Sequence, residues 1–149
     1  MNKFLLTLLV VSSSFFFGCK KTSNAPTASQ WTIMGTTYKG DTTYNYQDST
    51  SQDILSNAGS GNGIGIPFAS KPVANGTYDV IGASSGLPNL SPNQCQLFVS
   101  IGTNYYHSFE ARGTVMVTVV NGKLNLQFSN VPVTDITDTT TVSGYLIEQ

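Results

Sequence analysis

Charge is scarce in this sequence. Only 10% of its 149 residues are charged, and seven basic against eight acidic side chains leave a net charge of −1. Globular proteins typically carry about 25% charged residues. The sequence has no basic patch that would follow a phosphate backbone, so its composition argues against a nucleic-acid partner. Thr, Ser and Asn supply the polarity instead, and Thr is favoured in β-strands.

Histidine and cysteine, on which many metal and nucleophilic sites depend, are almost absent. His107 is the single histidine, and Cys19 and Cys95 are the only cysteines. A zinc site takes several of its ligands from His and Cys, which are too few here. A catalytic histidine base needs a nucleophile beside it, and the sequence has no serine or cysteine motif that points to one. We therefore predict no metal, no other cofactor, no catalytic residue and a protein that is not an enzyme.

Long apolar runs are missing as well. The longest, Phe4–Val11, follows the basic start Met1-Asn2-Lys3 and is ended by Ser12–Ser14. A helix that crosses a bilayer needs about 20 mainly apolar residues. The run is followed by Phe15-Phe16-Phe17-Gly18-Cys19, so a short basic start, an apolar stretch, a small residue and a cysteine stand in that order.

This order resembles the signal peptide of a bacterial lipoprotein. The resemblance implies that the sulfur of Cys19 receives a diacylglyceryl group and that the chain is cut just before it. Phe16 and Phe17 depart from the family pattern, which usually has an aliphatic and then a small residue at these positions. The alternatives are an ordinary signal peptide or a membrane helix with an incidental cysteine. An ordinary signal peptide prefers a small-x-small cleavage site, which Phe16-Phe17-Gly18 does not supply.

The resemblance also implies a location and a domain division. Lys20 would be the second residue of the mature chain, where many inner-membrane lipoproteins have Asp, so an outer-membrane anchor is expected. The Cys-Lys-Lys start looks like lipoproteins of the Bacteroidota, and the periplasmic or surface leaflet stays open because no acidic residue lies in 20–24. Residues 1–18 would be the signal peptide, 19–29 the lipidated cysteine and a flexible tether, and 30–149 the folded domain.

A lipid on Cys19 would leave Cys95 without a disulfide partner. The surrounding Gln94–Ile101 segment alternates, which places Cys95 on the same strand face as Leu97, Val99 and Ile101. We predict that Cys95 is a small buried hydrophobe.

Alternation with period two dominates from Gln30 onward, with breaks at Gly, Pro and Asn. The clearest unit, Gly113–Pro132, has alternating Val and Leu on either side of Asn121-Gly122, the strongest short hairpin signal. The sequence predicts an all-β fold, an antiparallel β-sandwich of about ten short strands, with a lipocalin-like closed barrel as the alternative. The predicted strands are Trp31–Tyr38, Thr42–Gln47, Asp53–Ala58, Gly63–Phe68, Thr77–Ile81, Gln94–Ile101, Tyr105–Ala111, Thr114–Val120, Lys123–Ser129 and Thr141–Glu148.

Glycine is concentrated in Gly59–Gly65. A phosphate-binding loop would have to open a helix and, in its P-loop form, contain a Lys-Ser/Thr pair, and this segment does neither. We predict a β-turn or bulge here. The last third of the chain, with its Gly-Thr-Val strand, Asn-Gly hairpin and closing Ser-Gly strand, is similar to uncharacterised small lipoproteins of the Bacteroidota. That resemblance implies a sandwich fold.

Tyrosine is the best pointer to a ligand site. Tyr44 and Tyr46 share one strand face, and Tyr105 and Tyr106 form a second cluster. If these tyrosines are exposed, their rings could stack on sugar rings and form a glycan-binding face. The alternative is that the tyrosine rings belong to the core, with their hydroxyls at its rim.

We predict a lipid-anchored binding or structural module with a glycan or peptide ligand. The alternatives are a barrel that holds a small apolar ligand and, third, a hydrolase. The triplets that begin at Asp41, Asp48 and Asp138 resemble the O-glycosylation acceptor of the Bacteroidota, which would place sugars on Thr42, Ser49 or Thr139.

Overall fold

A computed structural model describes residues 26–47, 52–83, 90–110 and 112–149, with the side chains of 43–47 and 52 excepted. The predicted signal peptide and the lipidation site at Cys19 lie outside the described residues. The strands are β1 Ser29–Ile33, β2 Thr36–Gln47, β3 Gln52–Gly59, β4 Asn62–Phe68, β5 Gly76–Val80, β6 Gln94–Cys95, β7 Phe98–Ile101, β8 Asn104–Ser108, β9 Thr114–Val120, β10 Lys123–Thr134 and β11 Thr139–Ile147. None of the described residues forms a helix that is long and apolar enough to cross a membrane.

All eleven strands belong to one sheet. Antiparallel pairings run from β10 through β11, β1, β2, β3, β4, β7 and β8 and return to β10. A second connection between β4 and β10 passes through β6, β5 and β9, and in it β5 and β6 pair in parallel. The all-β architecture agrees with the predicted sandwich, and the parallel pair is a departure from the purely antiparallel sheet that we expected.

The Gly113–Pro132 hairpin is confirmed. β9 and β10 pair from Lys123↔Val120 to Phe128↔Val115, and both residues of the Asn121-Gly122 turn have positive φ. β10 continues beyond the predicted end because its register shifts between Phe128 and Val131. The bulge changes which positions point inward: Leu124, Leu126 and Phe128 are buried before it, and Val131 and Val133 after it. One long strand thereby keeps an apolar inner face on both sides of the bulge.

Besides β10, several other predicted strands were wrong in extent. Trp31–Tyr38 is not one strand, because Met34 and Gly35 adopt φ of 48° and 74° and form the turn between β1 and β2. Positive φ at both central residues is the geometry of a tight hairpin turn, and Met-Gly is not one of its usual dipeptides. Gln94–Ile101 divides into β6 and β7, and the strand that begins at Asn104 ends at Ser108.

The inner face of the sheet encloses a single apolar core. Its two largest fully buried side chains, Trp31 and Phe68, each contact a tyrosine: Trp31 stacks on Tyr38 with ring centroids 5.8 Å apart, and Phe68 packs edge-on against Tyr78 at 5.0 Å. Cys95, Leu97 and Val99 are fully buried, as the alternation predicted.

Candidate ligand-binding pit

A depression on the outer surface of the sheet is the most site-like feature of the described residues. It lies across β3, β4, β7 and β8, which are consecutive neighbours in the sheet. One row of paired residues crosses it as Asn57↔Gly63↔Ser100↔Tyr105, and the next as Leu55↔Gly65↔Phe98. Because β4 contributes only glycines to these rows, its backbone forms the floor and no side chain fills the middle. The depression has a volume of about 400 Å³, and we call it the glycine-floored pit.

One wall of the pit is aromatic. The rings of Phe98 and Tyr105 stack at a centroid distance of 5.8 Å and an angle of 22°. Tyr105 is 53% exposed, whereas Phe98 is only partly exposed behind it. Stacking against Phe98 restricts the Tyr105 ring, so the wall presents a preorganised apolar face with a polar hydroxyl.

The end of the pit at Gly65 is closed. A Cβ at position 65 would lie 2.9 Å from Leu55 Cδ2 and 3.9 Å from Phe98 Cδ2. The two side chains therefore cover Gly65 from opposite sides, and Gly65 is buried although it lies on the outer face. Leu55 itself is 40% exposed and forms a rim rather than part of the core.

The opposite end of the pit is bounded by two turns that touch. The Gly102 N–H donates a hydrogen bond of 3.1 Å to Asn62 Oδ1, and a Cβ on Gly61 would lie 3.1 Å from the Gly102 carbonyl oxygen. The β3–β4 turn is thus tied to the β7–β8 turn. On the β3 side, the Gly59 N–H donates a hydrogen bond of 2.7 Å to Asn57 Oδ1. This bond orients the side-chain amide of Asn57, and the NH2 group of that amide carries two hydrogen-bond donors.

The pit offers polar groups without a positive charge. The described residues that line it include Asn57, Asn62, Ser100 and Tyr105, and none of them is charged. Partial burial, and to a smaller extent the nearby charge of Asp53, raises the pKa of the Tyr105 phenol above its usual value of 10. The phenol is therefore protonated at neutral pH and keeps its O–H donor.

The structure separates the tyrosines that the sequence grouped. Tyr105 belongs to the pit, whereas Tyr106 points to the other side of β8, is 3% exposed and directs its hydroxyl at Met34 Sδ at 3.7 Å. Tyr106 is therefore removed from the candidate site, because adjacent strand residues face opposite ways. Tyr44 and Tyr46 lie on β2, and their side chains fall outside the described residues.

Sequence reasoning missed most of the pit. Leu55, Asn57 and Phe98 were not singled out, and the Gly59–Gly65 segment was interpreted as a turn or bulge without a ligand. The turn at Ser60-Gly61 is present, with positive φ at both residues, and Gly63 and Gly65 lie on β4, in agreement with the predicted strand Gly63–Phe68. The alternation of Gly63, Ile64, Gly65 and Ile66 was the available signal, since glycine in a strand often marks a close approach of backbone or ligand.

The possible acceptor sites for glycans also differ in access. Thr42 is fully buried and its hydroxyl donates to Ser29 Oγ, so the folded domain cannot present it to an enzyme. Thr139 is exposed at the start of β11, and Ser49 lies outside the described residues.

Nothing in the described part of the chain resembles a metal centre, because no three or more His, Cys, Asp or Glu side chains converge there. A second concavity, of about 460 Å³, lies on the outer face of β9, β10 and β11 and is lined by Met116, Gln127 and Tyr145 among others. It lacks both the glycine floor and the stacked aromatic pair.

Comparison with known proteins gave no relative for this chain: no family model, no curated protein and no solved structure matches it.

Proposed function

We propose that this protein is a sugar-binding module, anchored by lipid in the cell envelope, and that the glycine-floored pit is its binding site. The observation that carries the proposal is the exposed Tyr105 ring, stacked on Phe98, which shares one row with Ser100, the bare backbone of Gly63 and Asn57.

A sugar ring has chemistry that suits this arrangement. Its C–H face is apolar and packs on an aromatic ring, while its hydroxyls donate and accept hydrogen bonds at the ring edge. Tyr105 offers the ring, Asn57 and Ser100 offer polar groups on the same row, and Gly63 lets the ligand approach the backbone. The volume of about 400 Å³ lies at the lower end of the range of about 300–1,000 Å³ for small-molecule sites.

A peptide ligand is less well supported. Extended peptides commonly bind by adding a strand to an open sheet edge. Three strands of the pit are paired on both sides: β3 with β2 and β4, β4 with β3 and β7, and β7 with β4 and β8. β8 pairs with β7 along its length and with β10 only at His107 and Ser108. Most of the site therefore offers no free edge, and sugar is the ligand class that we favour over peptide.

The alternative of an apolar ligand inside a barrel has less support still. It requires an interior cavity, and the interior is occupied by large fully buried side chains such as Trp31, Phe68 and Leu97. The concavities described above lie on the outer surface instead.

The proposed anchor rests on the sequence. The lipobox-like Phe16-Phe17-Gly18-Cys19 segment supports lipidation of Cys19, and Lys20 supports the outer membrane. The described chain begins close to the pit, since Ala28 and Ser29 share a shallow concavity with Asn57. The segment from Cys19 to Ser29 spans at most about 35 Å when extended. An anchored protein would therefore hold its pit within roughly that distance of the bilayer surface.

A glycan array tests the proposal. The full-length protein is applied in a detergent without a sugar headgroup, because maltoside or glucoside detergents would compete for the pit. We expect binding to a subset of glycans that Tyr105→Ala reduces at least tenfold. Tyr145→Ala, which removes a tyrosine from the second concavity, should leave it unchanged.

Two outcomes would overturn the proposal. One is the absence of any glycan binding that depends on Tyr105. The other is binding to a peptide array that Tyr105→Ala reduces, while no glycan binding depends on Tyr105. That result would make the pit a peptide-binding site.

A further inference from the structure

We infer that the pit holds one uncharged sugar residue at the end of a glycan chain, rather than a segment from the interior of a chain. This inference rests on the proposed function and adds the mode of recognition: the floor of the pit is bounded at both ends of its course along β4, and the pit opens outward.

The first step is the closed end. An internal segment of a linear glycan has neighbours on both sides, so its site must be a groove that is open at two ends. Along β4, the side chains of Leu55 and Phe98 lie over Gly65, so the open floor ends in that direction. Beyond them Pro67 is buried in the same strand, so the floor does not continue as an open channel.

The second step is the opposite end. The hydrogen bond from Gly102 N to Asn62 Oδ1 and the approach of Gly61 to Gly102 join the two turns beyond Gly63. A glycan chain that lay along β4 would have to cross these joined turns. The floor is therefore bounded at both ends of β4, and we expect the rest of the glycan to leave the pit away from the sheet.

The third step is the width of the pit. Its lateral walls stand on β3 and on β7 and β8, so β4 alone separates the Asn57 side from the Ser100 side. Neighbouring strands are about 4.8 Å apart, so β3 lies roughly 10 Å from β7 and roughly 14 Å from β8, which carries Tyr105. Side chains of Asn57 and Ser100 stand within this width, so the pit suits one ring packed on Tyr105 better than two rings side by side.

The fourth step is charge. No described residue that lines the pit is a lysine or arginine. Acidic or sulfated sugars would therefore enter without a counter-charge from these residues. The expected ligand is therefore a neutral sugar, either a hexose or an N-acetylhexosamine.

The experiment measures binding of five monosaccharides to the full-length protein by saturation-transfer NMR: glucose, galactose, mannose, N-acetylglucosamine and N-acetylgalactosamine. We expect at least one to bind, with the signal lost in Tyr105→Ala and retained in Tyr145→Ala. Glucuronic acid should bind at least tenfold more weakly than the best of the five.

A linear polymer of the sugar that binds best then separates end recognition from internal recognition. Equal masses of the intact and the partly hydrolysed polymer are compared, and binding per unit mass should rise in proportion to the number of chain ends. Leu55→Ala should open the closed end and make binding per unit mass insensitive to chain length. Leu55→Met, which keeps a bulky side chain over Gly65, should behave as the unaltered protein.

The outcomes distinguish the inference from the proposed function. Tyr105-dependent binding of the polymer that does not change with chain length, with no monosaccharide bound, would overturn end recognition and leave sugar binding in place. Absence of any Tyr105-dependent saccharide binding would overturn both.

Discussion

At the residue scale, Cys95 shows how burial controls chemistry. Its side chain is fully buried, and this burial, with a smaller contribution from the charge of Asp79, raises the pKa of the thiol from 9.0 to about 12. The thiolate is the reactive form of cysteine. Cys95 is therefore a packing residue, and in the native state it should resist thiol reagents that modify an exposed cysteine.

The raised pKa of Cys95 also predicts a pH dependence of stability. In the unfolded chain the thiol ionises near pH 9, whereas in the native state it keeps its proton to about pH 12. The stabilisation linked to this group is thus present in full below pH 9 and is lost as the pH rises towards 12. The expected loss is up to about 1.4 kcal/mol per pH unit within that window.

Urea denaturation of the protein and of Cys95→Ala, measured at pH 8, 9.5 and 10.5, checks this dependence. Other groups titrate in both proteins, so the quantity of interest is the difference between their free energies of unfolding. We expect this difference to shrink as the pH rises above 9. Parallel pH profiles would show that the thiol of Cys95 does not stay protonated in the native state.

Burial of individual residues was predictable where alternation is strict, and the ligand site was not. Alternation placed Cys95, Leu97 and Val99 in the core, as observed. Alternation also puts Tyr105 and Tyr106 on opposite faces of β8, so their grouping as one cluster in the sequence analysis was wrong. The pit itself joins Gly63 to Ser100 and Ser100 to Tyr105 across strands. Such pairings depend on the topology of the sheet, which no local pattern in the sequence specifies.

At the element scale, β1 and β11 approach each other closely at a glycine. Gly144 of β11 lies opposite Trp31, and a Cβ on Gly144 would lie 2.5 Å from the Gln30 carbonyl oxygen and 2.8 Å from Trp31 Cα. The obstructing atoms are backbone, which cannot rotate away as a flexible side chain could. A side chain at this position would force the two strands apart.

Gly144→Ala should therefore lower the free energy of unfolding by about 1–3 kcal/mol, as expected for overpacking. Gly76→Ala is the matched control, because its Cβ would meet only the Tyr78 ring at an ordinary distance of 3.5 Å. Its effect should stay within about 0.5 kcal/mol. Urea denaturation of both variants checks the comparison, and equal midpoints would contradict the close approach of β1 and β11.

Element boundaries failed where turn chemistry was unusual. Asn121-Gly122 has the expected dipeptide and its hairpin was predicted, whereas Met34-Gly35 adopts positive φ at both residues without such a dipeptide and was missed. The bulge after Phe128 was also missed, since it appears in the sequence only as a shift of the buried positions from even to odd numbers. Local propensity does not decide these cases, because pairing with β2 and β11 fixes the backbone there.

At the scale of the whole molecule, the carboxylate of Glu148 links two distant parts of the sheet, β10 and the connection between β4 and β5. Glu148 accepts a hydrogen bond from the Leu124 N–H at 2.8 Å and forms an ion pair with Lys71 at 2.8 Å. The Glu148 N–H in turn donates to the Leu124 carbonyl oxygen at 2.8 Å. The end of the chain is thereby held to β10 and to the β4–β5 connection. Paired strand edges also reduce the tendency of a β-protein to associate edge to edge.

The membrane anchor gives the last prediction, because it decides where the whole domain acts. Each buried methylene of a lipid contributes about 0.8 kcal/mol, so the two or three acyl chains of a lipoprotein would hold the protein on the membrane almost irreversibly. If Cys19 carries these chains, Cys19→Ser should move the protein from the membrane fraction to the soluble fraction. Cys95→Ala, which removes the other thiol, should leave it with the membrane. Fractionation after a carbonate wash measures the distribution. Retention of Cys19→Ser in the membrane would instead support an apolar segment that stays inserted, and would refute the lipidated cysteine as the anchor.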